Sequence, residues 1–214
     1  ALCAAGAMSL ETAVRLVRQR PEAMQSAGPV GLGGMAAVIG LADDAVEAAV
    51  AEARETGRVE AVNFNAPGQV VIAGEKAAVA RAIECAKARG CRRAIELPVS
   101  APFHSSLMQP AADKLAARLA ETEIQVPAIP VIANIDVEVH ETPDAIREAL
   151  ARQAAGAVQW VRTIERMKAA GITDIVECGP GKVLTGLLRR TAPEINGHNI
   201  FDAASLAAVL EKLN

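Results

Sequence analysis

Between residues 34 and 99 the sequence switches repeatedly between short apolar runs and alanine-rich amphipathic runs, with glycines at the switches. GLGGMAAVIGL (31–41) is short, apolar and flanked by glycines, which predicts a buried strand. Asp43 and Asp44 are placed to cap an alanine-rich helix that ends near Gly57. RVEAVNFN (58–65) predicts a strand, Ala66-Pro67-Gly68 a turn, and QVVIAG (69–74) a second strand paired to the first. A helix from Glu75 to Arg89 is stopped by Gly90, and CRRAIELPV (91–99) is again a strand. Few arrangements accommodate the resulting order β-α-β-β-α-β.

That order is the split, ferredoxin-like pattern, a self-contained two-layer unit. Residues 33–99 are therefore expected to form a small subdomain inserted into a larger α/β core made of 1–32 and 100–214. The flanking sequence alternates helix and strand differently. Residues 1–25 read as helical, with Ser9, Glu11 and Thr12 as a cap region and Val14, Leu16 and Val17 as an apolar stripe. Pro21 is expected to interrupt this pattern. After a loop at 100–106 come a helix (107–122), a strand at IPVIANI (129–135), a helix begun by Thr142-Pro143-Asp144 and another over 158–170. ITDIVECG (172–179) predicts a strand, KVLTGLLRR a helix, HNIFDA a last strand and ASLAAVLEKL a last helix. Such alternation implies a parallel sheet.

Composition narrows the function. Of 214 residues, 51% are apolar but only 2% aromatic, so the core is built from Ala, Val, Ile and Leu. With a net charge of −3, the chain lacks the basic stripe and stacking faces of a nucleic-acid binder. No apolar run approaches the roughly 18–20 residues that span a bilayer, so no membrane role is expected. Cys3, Cys85, Cys91 and Cys178 lack metal-ligand spacing and read as reduced thiols of a cytoplasmic protein, with no metal site. Ala1 to Ala7 read as helix interior without a cap, which suggests that sequence precedes them.

Of three histidines, His140 in a charged loop reads as surface and His198 as a turn residue. His104, in PVSAPFHSSLM, stands where the chain leaves the small unit, and binding sites favour such junctions. A histidine base needs a nucleophile in reach, and no G-x-S-x-G elbow occurs; adjacency of Ser100, Ser105 and Ser106 is not the required geometry. Cys178 ends a predicted strand and is either a functional group or a buried structural thiol. GPGK (179–182) is either an anion cradle or a tight strand-to-helix turn. Arg20 ends a helical run; its guanidinium is either solvated or available to hold a carboxylate with two parallel hydrogen bonds.

Several segments occur together in one order: AVRLVRQRPEAMQ (13–25), GGMAAVIGL (33–41), VNFNAPGQVVIAG (62–74), LPVSAPFHSSLMQPAADKLA (97–116), PVIANID (130–136), AVQW (157–160) and ECGPGKVLTGLLRR (177–190). Through them the chain resembles, along essentially its whole length, the malonyl-CoA:acyl carrier protein transacylases of bacterial fatty-acid synthesis. The resemblance implies a hydrolase-like α/β core with a ferredoxin-like insert. It implies malonyl transfer from malonyl-CoA, through a seryl ester, to the phosphopantetheine thiol of acyl carrier protein, with no cofactor. His104 matches the family's base through its PFH context. Arg20 matches the arginine that binds the malonyl carboxylate, although Pro21 stands where glycine is common. Gln153 matches the residue whose backbone carbonyl orients the histidine. Phe103, beside His104, is implied to narrow the pocket and favour malonyl over methylmalonyl groups, with core filling as its alternative role. Asn63, Asn65, Asn134 and the Gly179–Gly181 turn are further candidates, and Arg189 and Arg190 form a basic pair that could meet an acidic carrier protein.

The family's G-H-S-x-G elbow and its G-Q-G-S-Q segment do not occur in these residues. The resemblance places both before Ala1, so this polypeptide alone is expected to be inactive and to leave a sheet edge exposed. Two alternatives stand beside the leading one: a non-catalytic relative that binds carrier protein or coenzyme A, and an acyltransferase piece of a polyketide synthase.

Overall fold

A computed structural model describes residues 1–25, 31, 33–99 and 101–213. The small unit contains β1 (Gly33–Ile39), α2 (Asp43–Ala53), β2 (Val59–Ala66), β3 (Gln69–Glu75), α3 (Lys76–Ala88) and β4 (Arg93–Glu96), preceded by α1 (Leu10–Gln25). The four strands form one sheet in the order β2-β3-β1-β4 with antiparallel neighbours throughout. Alternation along the strands divides the side chains between two faces. Ala36, Val38, Val59, Val70 and Ile72 meet Val46, Val50, Val79 and Ile83 of α2 and α3 in one core. Met35, Val62, Val71 and Ala73 form a second cluster on the other face, against Leu97, Val99 and Phe103. Asp43 and Asp44 lie in the first turn of α2, not at its cap, which is Ala42 with no side-chain bond.

Strand β2 pairs with β3 irregularly. Ala61 faces Ile72 and Asn63 faces Val71, so Val62 is an extra residue; a second irregularity follows between Phe64 and Ala66. An inserted residue shifts the two-residue alternation by one. Glu60 and Asn63, three positions apart, therefore share the face that carries Val71 and Ala73.

The remainder comprises a 3-10 turn (Ser106–Met108), α4 (Gln109–Ala120), α5 (Pro143–Ala155), α6 (Trp160–Ala169), β5 (Asp174–Cys178), α7 (Val183–Thr191), β6 (Asn196–Ile200) and α8 (Ala203–Leu213). Strands β5 and β6 pair in parallel, the only parallel sheet among the described residues. Helices α4 and α5 bury Ala112, Leu115, Leu119 and Ile146 together with Ala7. Thr142 caps α5 by accepting from the Ala145 amide at 3.3 Å, and Pro143 occupies the first turn, where its missing N–H costs nothing.

Three expectations from sequence are corrected. Residues 1–7 make a single turn, not a helix, with Ala5 N–H donating to Ala1 O and Ala7 N–H to Leu2 O at 2.9 Å. Helix α1, begun by the Ser9 hydroxyl accepting from Thr12 N–H at 3.1 Å, continues through Pro21. A proline there forfeits one backbone bond and costs about 3 kcal/mol without ending the helix. IPVIANI is not a strand: only Ile132 bridges to Val139, across a turn closed by Val137 N–H donating to Ala133 O at 2.8 Å. Pro130 removes one donor from that run, and Pro127 another just before it. Val14 and Val17 face outward from α1, while Leu16 packs against the α4–α5 core.

Candidate functional site

His104 stands on a loop fixed at both ends. Its own φ is +64°, a left-handed conformation that L-residues with side chains avoid, so the loop must hold it there. Ser105 does part of this: its buried hydroxyl donates to Pro102 O at 2.7 Å, and its carbonyl accepts from Met108 N–H at 2.9 Å. Pro102 lies flat on β1; a Cβ on Gly33 would stand 2.4 Å from Pro102 Cδ, so only glycine permits this approach.

His104 Nδ1 lies 3.1 Å from the backbone carbonyl of Gln153, near the end of α5. A carbonyl only accepts, so Nδ1 carries the proton and Nε2 of the neutral ring is left with its lone pair. Burial pushes the His104 pKa below the usual histidine value. The Gln153 and Gly156 carbonyls oppose that shift, and the positive charge of Arg20 adds to it. The ring is thus held neutral, in the tautomer that can accept a proton.

Arg20, on α1, is half-buried and has no ion pair or hydrogen bond among the described residues. Burial alone lowers its pKa. A guanidinium remains charged under these conditions, so a desolvated cation faces the cavity with no counter-ion among the described residues. It lines a cavity of about 390 Å³ whose walls are mainly apolar, with Leu16, Leu115, Leu119, Ile132, Ile146 and Leu150 among them. Gln153, Asn134 and His140 share that wall. The Asn134 Oδ1 is buried with no hydrogen-bond partner among the described residues.

The segment around Val158 ties these parts together. Its amide donates to Val62 O at 2.8 Å and its carbonyl accepts from Phe64 N–H at 2.9 Å, so it adds a short parallel bridge beside Asn63 of β2. The next amide, Gln159, donates to Asn134 O at 3.1 Å.

The candidates from sequence therefore divide. Arg20, Gln153 and Asn134 share one cavity, and His104 joins them through the Gln153 carbonyl. Phe103 does not line the cavity; it packs between Met24, Ala101 and Met108 on one side and the outer face of the small sheet on the other. Asn63 and Asn65 lie on β2, outside that wall. His140, read from sequence as surface, lines the cavity and pairs with Asp136 at 3.2 Å. An Asp four residues before a His in a tight turn was the available signal. His198 is on β6, not in a turn, and bonds Asp174 at 2.9 Å.

The helix start that follows the GPGK turn already has an anion. Glu177 of β5 accepts from Leu184 N–H at 3.1 Å, Thr185 N–H at 2.7 Å and the Thr185 hydroxyl at 2.6 Å, at the start of α7. Burial pushes the Glu177 pKa up, but these bonds outweigh it and hold the carboxyl below its usual range. Cys178 is exposed rather than buried. Arg190 bonds the Gln69 side chain across to the small sheet, while Arg189 is exposed. Among the described residues no cluster of three or more His, Cys, Asp or Glu side chains could hold a metal, and no helix is long and apolar enough to cross a membrane.

Comparison with known proteins adds to this geometry. Residues 1–211 match the family model of the acyl transferase domain. The malonyl CoA-acyl carrier protein transacylase of Escherichia coli K12 is 49% identical over 211 residues, covering 99% of this chain and 68% of that protein. The Bacillus subtilis protein of the same name is 39% identical over 214 residues, covering 100% of this chain and 68% of its own length. The crystal structure of an acyl-carrier-protein S-malonyltransferase from Burkholderia pseudomallei superposes with a TM-score of 0.97 at 55% identity, over 99% of this chain and 69% of that one. A malonyl-transacylase in complex with a type II polyketide synthase acyl-carrier protein gives 0.96 at 45% identity, over 99% and 69%. A half-buried neutral histidine on a backbone carbonyl, a cation beside it unpaired among the described residues and a sequence match over residues 1–211 lead to one conclusion: the chain belongs to the acyl transferase domain family.

Proposed function

We propose that this chain serves the transfer of a malonyl group from malonyl-CoA to the phosphopantetheine thiol of acyl carrier protein, in the cytoplasm and without a cofactor. The unpaired Arg20 at the cavity wall carries the reading. It is a fixed cation in a largely apolar space, and malonyl differs from acetyl by a free carboxylate. The guanidinium offers that carboxylate two parallel charge-assisted bonds and offsets its desolvation.

His104 acts as general base and then general acid. With Nδ1–H held on Gln153 O, Nε2 takes the proton of the attacking hydroxyl and returns it to the leaving thiolate of coenzyme A. It repeats both steps when the carrier-protein thiol attacks the ester. The hydroxyls of Ser105 and Ser106 donate elsewhere, to Pro102 O and to Glu60, so neither serves as that nucleophile. With no G-x-S-x-G among these 214 residues, this chain supplies the base and the clamp, not the acylated serine. Asn134, with its bare Oδ1, binds a donor on the substrate. Phe103, which packs in the seam rather than on the cavity wall, takes the core-filling role and is assigned no part in choosing between malonyl and methylmalonyl groups.

The missing elbow also supports a second reading, in which the chain binds coenzyme A or carrier protein without transfer; an acyltransferase piece of a polyketide synthase is the third. Binding to the chain tests the carboxylate clamp on which the first reading rests. Malonyl-CoA is expected to bind more tightly than acetyl-CoA by calorimetry. Arg20→Ala should remove most of that preference, at about 1.5–3 kcal/mol for a bond to a charged group. Labelled malonyl-CoA should leave no ester on the chain. Equal affinity for the two thioesters would discard Arg20 as the clamp.

A further inference from the structure

Glu60 lies on β2, in the small antiparallel sheet, and its half-buried carboxylate reaches out of that sheet to the loop that carries His104. One oxygen accepts the Ser106 backbone N–H at 3.0 Å, and the other accepts the Ser106 hydroxyl. The two bonds form a fork two residues beyond the histidine. Because of the extra residue at Val62, Glu60 and Asn63 emerge on the same face of β2, and Asn63 is bridged to Val158. The same strand therefore holds the histidine loop at Glu60 and, through backbone bonds at Val62 and Phe64, the segment that follows Gln153. His104 and the carbonyl that orients it come from different parts of the chain, separated by 49 residues. β2 is the element bonded to the neighbourhood of both.

We propose that Glu60 is a positioning residue for His104: its fork on Ser106 keeps the left-handed residue in register with the Gln153 carbonyl and so fixes the imidazole as the Nδ1–H tautomer. Without the fork, the loop keeps its internal bonds, the packing of Phe103 and Met108 and the close contact of Pro102 with Gly33, but it loses its polar tie to β2 and with it part of the hold on a conformation that an L-residue avoids. The ring would then leave the carbonyl and enter water, where the two neutral tautomers compete. The small sheet thereby acts as the ruler for the base. This inference rests on the reading of His104 as the base, but its test reads the imidazole and not acyl transfer.

The experiment is nitrogen-15 NMR of histidine-labelled chain, with His104 assigned by its absence in His104→Ala. In the parent chain, the neutral His104 ring should show the Nδ1–H pattern and titrate below the usual histidine value. Glu60→Ala should lose the tautomer bias and move the titration upward, with His140 and His198 unmoved and the thermal transition retained. Glu60→Gln should restore the parental pattern, since an amide accepts the N–H with its oxygen and donates to the hydroxyl with its nitrogen. A Glu60→Ala chain with the parental tautomer and titration overturns the proposal, as does a shift shared by all three histidines. If Glu60→Ala does not fold, Ser106→Ala, which removes only the hydroxyl arm, is read by the same two outcomes.

Discussion

At the scale of single residues, the site is organised by one unpaired charge and one buried ring. His104 titrates low because burial disfavours its cation, and Arg20 disfavours it further. A histidine whose folded pKa lies below its unfolded value binds fewer protons when folded than when unfolded across the interval between the two. The His104 contribution to stability is therefore complete above about pH 6.5, the ordinary histidine value, and declines as pH falls through the lowered folded value. A carboxylate on Arg20 cancels part of the positive field. Saturating malonate should consequently raise the His104 titration midpoint, and malonate should have no such effect in Arg20→Ala; a midpoint indifferent to malonate in the parent chain would show that Arg20 and the ligand do not meet. His104 and Arg20 were legible through the family resemblance, His104 by its PFH context and Arg20 by its R-x-x-x-M-Q spacing to Met24 and Gln25. Glu60 was not, because its role is set by a carboxylate meeting a loop 46 residues away.

At the scale of elements, the strands of the small sheet and most helices follow from local pattern, since glycine stops, the Thr142 cap and two-residue alternation are local in origin. The IPVIANI run failed for an equally physical reason. Its apolar alternation suits a strand, but Pro127 and Pro130 lack donors and no strand lies beside it among the described residues. Close backbone contacts make sharper tests than helix propensity. Gly74 of β3 lies where a Cβ would stand 2.1 Å from Arg58 O, a backbone atom that cannot rotate away. Gly74→Ala is expected to cost about 1–3 kcal/mol through displaced backbone, read as a lower urea midpoint at unchanged slope. An unshifted midpoint would mean that the β2–β3 pairing yields freely there.

At the scale of the whole molecule, the buried apolar residues fall into separate clusters, and they are not equally protected. The central strands β1 and β3 carry neighbours on both edges and side-chain clusters on both faces. The pair β5 and β6 has one unpaired edge on each strand among the described residues. Apolar stripes stay exposed on α1 (Leu10, Val14, Val17) and on α8 (Leu206, Leu210, Leu213). Local opening is cheapest where contacts are few. Hydrogen exchange should therefore be slowest at the amides of β1 and β3 and fastest at those of β5, β6 and α8. Equal protection along the chain would instead mean that residues 33–99 and the rest unfold as one unit.

What the sequence determined by itself was local or cumulative: the β-α-β-β-α-β order, the starts of α1 at Ser9 and of α5 at Thr142, the likeness to acyl transferases and the choice of His104 and Arg20 as candidates. Those properties depend on spacing, and spacing is written in the chain. What only the tertiary structure decided was which groups meet. The helix start after the GPGK turn could have held a ligand, but Glu177 caps its Leu184 and Thr185 amides. His140 stands in a charged stretch of sequence that suits a surface loop, yet the fold turns it into the cavity wall. Phe103 is set into the seam between the small sheet and the α1 side, and Glu60 reaches across to Ser106. Partner choice between distant segments is settled by packing and by the bulge that resets one strand's faces, and neither is encoded in any single window of sequence.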